Sequence, residues 1–198
     1  MKIQAVTALR FLIVMTILTG IIYPLSMTGI AQLFYPLKAN GSLIKINGQI
    51  IGSELIGQKF DSSIYCWPRP SAIEYNPVPS GASNWGPTND TLKKLSTLRH
   101  ELFVKMNSLT DEMAIPAEMI FASGSGLDPH ISPESALLQV NRISKARNFN
   151  GSMKEKLINK IKDLTEEPQF LFLGEERINV LRLNIELNKI EENIEIIK

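Results

Sequence analysis

The sequence predicts an α+β protein in which a single N-terminal transmembrane helix is followed by one loop-rich extramembrane domain. Three features predict this class: an uncharged apolar stretch near the N-terminus, two short apolar strands around an Asn-Gly turn, and several amphipathic helical segments in the second half of the chain. Strands and helices that share one core make an α+β domain. We divide the chain into a basic segment (residues 1–10), a transmembrane helix (11–35) and an extramembrane domain (36–198).

The stretch from Phe11 to Tyr35 contains no charged residue. At ~1.5 Å per residue, a helix over these roughly 25 residues is about 37 Å long, which is enough to cross a ~30 Å hydrocarbon core with some tilt. A cleaved signal peptide has a shorter apolar region, about 7–15 residues, and ends in a small-x-small site that is missing here. That alternative and a buried core helix are both less favoured than a membrane anchor.

Three residues inside this stretch are candidates for packing in the membrane. Pro24 lacks a backbone donor, so we expect a kink between Gly20 and Pro24. Thr16 and Gly20 form a small-xxx-small pair, which lets a neighbouring helix approach closely. Chance placement of small residues explains the pair equally well.

Charge and composition limit the classes of function. The net charge is +1 with acids and bases interspersed, which gives no footprint for nucleic acid. Cys66 is the single cysteine, so no internal disulfide can form, and the two histidines lie far apart without cysteine companions, so no metal site is expected. Lysines and arginines are nearly balanced across the apolar stretch and only weakly favour a cytoplasmic N-terminus.

The first part of the domain predicts a hairpin and a long loop. The mainly apolar residues Leu43-Ile44-Lys45-Ile46 lead into Asn47-Gly48, whose positive φ angles suit a type I′ turn, and Gln49-Ile50-Ile51 lead away from it. Residues 57–87 are rich in Gly, Pro, Ser and Asn and show no period. The aromatic residues among them favour an ordered loop over a disordered one.

Helices dominate the remainder. A helix is expected from Thr88 or Asn89, and residues 118–122 predict a short strand ahead of a tight turn at 123–126. Ser132 predicts the cap of a helix that runs to about Arg147. Asn150 predicts the cap of a further helix over 152–164. A last helix is predicted over 180–197, although this segment also alternates as a strand does. The expected apolar faces are Leu92, Leu95, Leu98, Leu102 and Met106 in the first helix, and Met153, Leu157, Ile158 and Ile161 in the third.

Two serines are candidate nucleophiles, and they support an alternative function as a membrane-anchored exported serine hydrolase. Ser42 and Lys45 have the Ser-x-x-Lys spacing of penicillin-recognising enzymes, but a strand places these positions on opposite faces. Ser125 lies between glycines, with Asp128 and His130 close behind it in the sequence. The simpler interpretation is a turn in which Asp128 and Ser132 accept hydrogen bonds from backbone amides.

The turn formed by Ser123, Gly124, Ser125 and Gly126 is also a candidate anion-binding turn. Its free amides, together with the N-terminus of the following helix, could face a phosphate. The Gly-Lys-Ser/Thr ending of a Walker A loop is missing, so the signal for a nucleotide is weak.

Short runs spread along the chain carry a family resemblance. They are Tyr23-Pro24, residues 39–44, residues 52–58, Arg69-Pro70-Ser71-Ala72, Tyr75-Asn76-Pro77, residues 80–84, residues 122–133, Gln139-Val140-x-Arg142-Ile143 and Asn179-Val180-Leu181-x-Leu183-Asn184. In order and spacing, from about Phe11 to Leu187, the chain resembles KdpC, the C-subunit family of the bacterial Kdp potassium-transporting ATPase. It departs from the family at Gly81-Ala82, at Cys66-Trp67-Pro68 and in the charged tail after Leu187.

The resemblance implies an accessory, non-catalytic subunit of an ATP-driven, high-affinity K⁺ uptake complex. Its implied place is the cell (inner) membrane, as a single-pass protein with a cytoplasmic N-terminus and the main domain outside. The implied partners are a channel-like K⁺-translocating subunit, a P-type ATPase subunit and a small peptide subunit, besides membrane lipid. No cofactor of its own is implied, since ATP belongs to the ATPase subunit, whose affinity for ATP this family is described as raising.

In this family a glutamine in the helix after the Gly-Ser turn has been proposed to touch ATP, and it corresponds to Gln139. An external domain cannot reach cytoplasmic ATP in the assembled pump. We therefore expect Gln139 and Arg142 to be packing or partner-contact residues, with nucleotide ligation as the alternative.

Overall fold

The N-terminal unit of the chain is a long apolar helix followed by a short helical turn. This computed structural model describes residues 2–110, 112–170 and 172–195, and it divides the chain into two compact units, Met1–Ile51 and Gly52–Lys198. Helix α1 covers Lys2–Ile17, α2 covers Tyr23–Phe34 and α3 covers Pro36–Ala39. The continuous run Lys2–Phe34, 33 residues long, is long and apolar enough to cross a membrane, and none of it is buried.

A π-helical turn, Leu18–Ile22, joins α1 to α2 where the sequence predicts a kink. It closes with a hydrogen bond from the Tyr23 N–H to the Leu18 carbonyl, five residues back. Pro24 follows at once and has no N–H to donate to the preceding turn. A π-turn at this point accommodates the missing donor without ending the helix.

The predicted hairpin is confirmed. Strand β1 covers Leu43–Ile46 and β2 covers Gln49–Ser53. Asn47 and Gly48 have φ angles of 51° and 80°, the left-handed pair that a type I′ turn requires.

In the residues that the structure describes, the second unit packs five helices and a two-residue strand pair around one core. The helices are α4 (Asp90–Asn107), α5 (Pro133–Leu138), α6 (Val140–Ala146), α7 (Gly151–Asp163) and α8 (Val180–Glu195). Strands β3 (His130–Ile131) and β4 (Ile178–Asn179) pair antiparallel, with Ile131 opposite Ile178. Buried apolar side chains from all of these elements except α4's N-terminal half form the core, among them Phe103, Ile131, Ile143, Leu157, Ile161, Leu183 and Leu187.

Most predicted helix starts are confirmed by their caps. Asn89, Ser132 and Asn150 each accept a backbone N–H from the first turn of the helix that follows, as the sequence predicts. These bonds satisfy donors that otherwise have no partner in the helix. The C-terminal segment is the helix α8, and residues 196–198 of its predicted extent lie outside the described residues.

Two predicted elements are wrong. Residues 118–122 form no strand; Ala117–Met119 is a 3₁₀ turn, and the Glu118 carboxylate accepts the Ser132 N–H at 2.8 Å. A short apolar run fits either element, and here the contacts of Glu118 accompany the turn. The helix expected from Ser132 to Arg147 is interrupted at Gln139, which ends α5 and precedes α6.

The buried face of α4 also differs from the prediction. Phe103, Val104 and Asn107 are buried, whereas Leu98 of the predicted apolar face is 60% exposed. Asn107 accepts a hydrogen bond from the buried Arg142 at 3.0 Å. This polar contact lies inside the domain, so the helix is turned away from the orientation that its leucine pattern favours.

Candidate functional site

The loop between β2 and α4 contains no helix or strand in the part of the chain that the structure describes, yet its centre is firmly bound. Cys66 and Trp67 each have both backbone polar groups bonded by one side-chain amide. Asn184 of α8 accepts the Cys66 N–H at 2.8 Å and donates to its carbonyl at 3.0 Å. Gln139 accepts the Trp67 N–H at 2.7 Å and donates to its carbonyl at 3.2 Å. We call these two pairs the amide clamp.

The amide clamp bonds the N–H and C=O groups of Cys66 and Trp67 as a neighbouring β-strand would. A peptide group in a sheet has its N–H and its C=O bonded by partners alongside it, and a carboxamide carries the same donor and acceptor. Gln139 and Asn184 are both buried, so water does not compete for these bonds. An irregular loop can be buried at the core only because its backbone is satisfied in this way.

Arg142 binds the carbonyls just before the clamp. Its Nη1 donates to the carbonyls of Ser63 at 2.7 Å and Tyr65 at 3.0 Å, and its Nε donates to Asn107. Burial lowers the pKa of Arg142 to about 10, so the side chain is still a cation at neutral pH. Among the described residues no carboxylate lies within ion-pair distance of it. Carbonyl dipoles therefore stabilise the buried charge.

Arg142 also contacts the Gln139–Trp67 pair of the clamp, through the carboxamide and through the indole ring. Its Nη2 donates to Gln139 Oε1 at 2.7 Å, and its guanidinium carbon lies 4.1 Å from the centre of the Trp67 ring. A guanidinium over an indole face gains cation–π attraction. Trp67 is thereby held through both its backbone and its ring.

Arg147 completes the support one turn later in the chain. Its Nε donates to the Ile64 carbonyl at 2.7 Å, its Nη1 pairs with Glu191 at 2.9 Å, and it lies over the Tyr65 ring. The carbonyls of residues 63–65 are therefore all bound by Arg142 of α6 and by Arg147, the residue that follows this helix. The loop is ordered, as its aromatic residues predict.

The two residues proposed as nucleotide or partner contacts lie inside this network. Gln139 is completely buried and Arg142 is 6% exposed. Gln139 Nε2 also donates to the Ser135 carbonyl at 3.1 Å, so both ends of its carboxamide are engaged. A nucleotide would reach them only after the clamp opened. Contact with nucleotide or partner at these positions stays a prediction.

The glycine turn is confirmed as a turn, and its neighbours bind it on several sides. The Ser123 N–H donates to the Pro70 carbonyl at 3.1 Å, and the Ser125 carbonyl accepts the Gly81 N–H at 3.0 Å. Gly126 has φ +70°, the left-handed conformation that glycine adopts most readily. Helix α5 begins only at Pro133, so the turn and the helix N-terminus do not form one continuous cradle. Anion binding at the turn stays untested.

The groups proposed for a hydrolase serve as turn acceptors. Ser125 Oγ accepts the Leu127 N–H at 3.1 Å, and Asp128 accepts the His130 N–H at 3.0 Å and an Arg69 N–H at 2.7 Å. Burial alone would raise the pKa of Asp128, but the hydrogen bonds from His130 and Arg69 outweigh it and lower the pKa to about 2. No group of three or more metal-binding side chains is placed to hold an ion in the described residues.

Sequence reasoning missed Asn184, Asn107 and Arg147 as parts of this network. A usable signal exists for Asn184, because it lies four residues after Val180 and three before Leu187, on the buried face of α8. A polar residue in the middle of an apolar helical stripe indicates an internal hydrogen bond, since an unpaired buried amide is costly.

Comparison with known proteins matches nearly the whole chain. Residues 5–189 match the family model described as KdpC, the K⁺-transporting ATPase c chain. Relatives named potassium-transporting ATPase KdpC subunit occur in several bacteria. That of Leptospira interrogans is 44% identical over 181 residues, 91% of each chain. That of Mycobacterium tuberculosis is 43% identical over 192 residues, 96% of this chain and 100% of the relative. That of Methylococcus capsulatus is 45% identical over 185 residues, 91% and 95% of the two chains.

Proposed function

The chain belongs to the KdpC family of K⁺-transporting ATPase c chains, and on that premise we propose that it is an accessory, non-catalytic subunit which the pump requires for assembly or activity. The observation that carries the proposal is the match over residues 5–189, which includes both the apolar helix and the loop held by the amide clamp. We assign the contacts with the pump to the surface of the domain and to the membrane helix, because the polar side chains of the interior support the fold.

The apolar helix supports a place in the cell membrane. The run Lys2–Phe34 exposes its large side chains all round, and such a surface is stable only against lipid or other apolar helices. Polar hydroxyls on it are satisfied within the helix, as Thr19 donates to the Met15 carbonyl at 2.7 Å. The proposed orientation has the N-terminus in the cytoplasm and the domain on the outer face.

Thr16, Gly20 and Pro24 are the proposed packing positions of this helix. A Cβ built on Gly20 meets no atom within 4 Å, so the π-turn presents open backbone to a neighbour. Small residues let helices in membranes approach closely, and a π-turn is more favourable beside protein than in bare lipid. The proposed neighbours are helices of the channel-like K⁺-translocating subunit, of the P-type ATPase subunit or of the small peptide subunit.

We further propose that any increase in the ATP affinity of the ATPase subunit passes through these partners. Gln139 has both ends of its carboxamide bonded inside the domain, which leaves it no free group for a nucleotide. An indirect effect needs no ATP outside the cytoplasm. It follows if the complete assembly favours the ATP-binding state of the ATPase subunit.

The test is transport in cells that carry the other pump subunits with or without this chain. Potassium uptake at micromolar external K⁺ and co-purification of the full chain with a tagged channel-like subunit are measured together. We expect uptake and co-purification only when the full chain is present. Unimpaired uptake without it would refute the role, and a Ser125→Ala variant that keeps full uptake would leave a hydrolytic role without support.

A further inference from the structure

The segment between α7 and β4 exposes aromatic side chains at its tip. Phe170 is 80% exposed and Phe172 is 76% exposed, and Leu173 beside them is half exposed. At ~200 Å² per phenylalanine side chain, the two rings expose roughly 300 Å² of apolar surface. The largest apolar patch on a typical soluble domain covers about 300–600 Å² and is often an interaction site. We call Phe170, Phe172 and Leu173 the aromatic knob.

A small hydrogen-bonded stem supports the knob. Glu166 and Arg177 exchange two backbone hydrogen bonds, at 2.8 and 3.1 Å, and their side chains pair at 3.0 Å. One step nearer the tip, Gln169 and Leu173 exchange two more, both at 2.9 Å. Phe170 has φ +54°, a conformation that a bulky residue rarely adopts. Strained backbone of this kind clusters at binding sites, and here the stem holds the rings away from the core.

The surroundings of the knob are acidic. Glu167, Glu175 and Glu176 are exposed and make no ion pair within the described residues, whereas Arg177 is already paired with Glu166. A cleft of about 450 Å³ beneath the loop is lined by these three carboxylates and Glu118, together with Asp128, His130, Arg69 and Arg177. Both arginines are paired with carboxylates, Arg69 with Asp128 and Arg177 with Glu166, so the excess charge of the lining is negative. The aromatic knob therefore lies at the edge of a negatively charged surface.

We propose that the aromatic knob docks into an apolar groove bordered by lysines and arginines on the extramembrane surface of another subunit of the pump. This inference rests on the proposed function, which supplies the partner complex. Aromatic side chains that insert into pockets dominate interface affinity, and complementary charge around them sets orientation and association rate. The hydrogen-bonded stem limits the conformational freedom of the knob, so little order has to be gained on docking.

A lipid surface fits these residues less well than a protein groove. Segments that dip into membranes combine aromatic residues with lysines and arginines, which are attracted by anionic headgroups. Here the flanking charges are carboxylates, which such headgroups repel. The same sign of charge favours a basic rim on a protein partner.

The test uses the full chain in membranes together with the other pump subunits. A photoreactive residue is introduced as Phe172→p-benzoylphenylalanine, with Lys156→p-benzoylphenylalanine on the exposed face of α7 as the matched control. We expect the first to cross-link to another pump subunit, at apolar residues flanked by Lys or Arg. Cross-links to lipid, to a second copy of this chain, to nothing, or to the same product as the control would overturn the inference.

Variants separate this inference from the proposed function. Phe170→Ser with Phe172→Ser, and Glu175→Lys with Glu176→Lys, are each expected to weaken association of the detergent-solubilised full chain with the rest of the pump at least tenfold. Leu98→Ser, which removes a similarly exposed side chain, is expected to change it less than twofold. If the unaltered chain associates and the knob variants associate equally well, the inference fails while the function stands. If the unaltered chain neither associates nor supports uptake, the proposed function itself fails.

Discussion

The carboxamide of Gln139 lies against the peptide group of Trp67 and bonds both its N–H, at 2.7 Å, and its carbonyl, at 3.2 Å. Asn184 bonds both the N–H and the carbonyl of Cys66, the residue before Trp67, in the same way. Asn184 of α8 and Gln139, at the junction of α5 and α6, thus bond the backbone of one loop as a neighbouring β-strand would. The polar residues that most resemble ligands in the sequence are, in the structure, supports of the backbone.

Replacing Gln139 is expected to destabilise the domain. In Gln139→Ala the partly buried N–H and carbonyl of Trp67 lose their partner. Unsatisfied buried groups cost about 1–3 kcal/mol each, and we expect a loss of roughly 2 kcal/mol for these two partly buried groups. Unfolding of the full chain in detergent, followed by tryptophan fluorescence, measures it. Gln49→Ala, on the exposed face of β2, is the control and is expected to change stability by less than ~0.5 kcal/mol. Unchanged stability with weakened ATP binding by the pump would instead support a nucleotide contact.

Two glycines of one turn are expected to respond differently to alanine. A Cβ on Gly126 would lie 2.5 Å from Ile73 and 2.9 Å from the Gly81 carbonyl, in a left-handed conformation that already disfavours side chains. A Cβ on Gly124 meets nothing within 4 Å. We expect Gly126→Ala to cost about 2 kcal/mol or more and Gly124→Ala to be close to neutral. Thermal unfolding of both variants measures the two stability losses. Equal losses would mean that the turn is not packed as described.

The stability of the domain is expected to fall at acidic pH through Asp128. Its pKa in the folded chain is about 2, below the ordinary 3.8, because the bonds from His130 and Arg69 outweigh the effect of burial. The stabilisation is therefore complete above about pH 4 and is lost as the pH falls toward 2. It amounts to roughly 1 kcal/mol, since the pair is partly exposed to solvent.

Asp128→Asn provides the comparison for this pH dependence. The variant cannot ionise at this position, so its stability is expected to be lower at pH 6 and to fall less steeply between pH 4 and 2. Unfolding midpoints across this range measure both curves. Parallel curves for the two proteins would show that Asp128 is not responsible.

The native cysteine is expected to be inert, which allows the side of the domain to be mapped with an added one. Cys66 is fully buried, and burial raises the pKa of its thiol to about 12, so little thiolate exists at neutral pH. Ser152 is exposed in the first turn of α7, where the helix N-terminus favours a thiolate. An impermeant thiol reagent is expected to label Ser152→Cys in intact cells and to leave the unaltered chain unlabelled. Labelling only after permeabilisation would place the domain inside.

Elements with strong local signals could be predicted from the sequence. The Asn47-Gly48 turn, the caps Asn89, Ser132 and Asn150, and the uncharged N-terminal stretch depend on chemistry within a few residues of one another. Pro24 is likewise a local signal, and a π-helical turn lies directly before it, where the sequence predicts a kink.

Elements whose structure depends on contacts far apart in the sequence could not be predicted in this way. The orientation of α4 follows from Asn107 meeting Arg142, 35 positions away, and the 3₁₀ turn at Glu118 accompanies its bonds to the cap of α5. The family resemblance draws attention to Gln139 and Arg142, but their partners in the loop at residues 63–67 carry no pattern that the sequence reveals. Bonds between side chains and an irregular backbone have no period, and period is what sequence analysis detects.

The most direct measurement of the central claim is the K⁺-stimulated rate of ATP hydrolysis by the purified pump. The complex is prepared from cells that supply the other subunits with the full chain, with a chain that lacks residues 2–34, or with neither. We predict K⁺-stimulated hydrolysis and stable assembly only with the full chain. The same K⁺-stimulated rate from the other subunits alone would contradict the account.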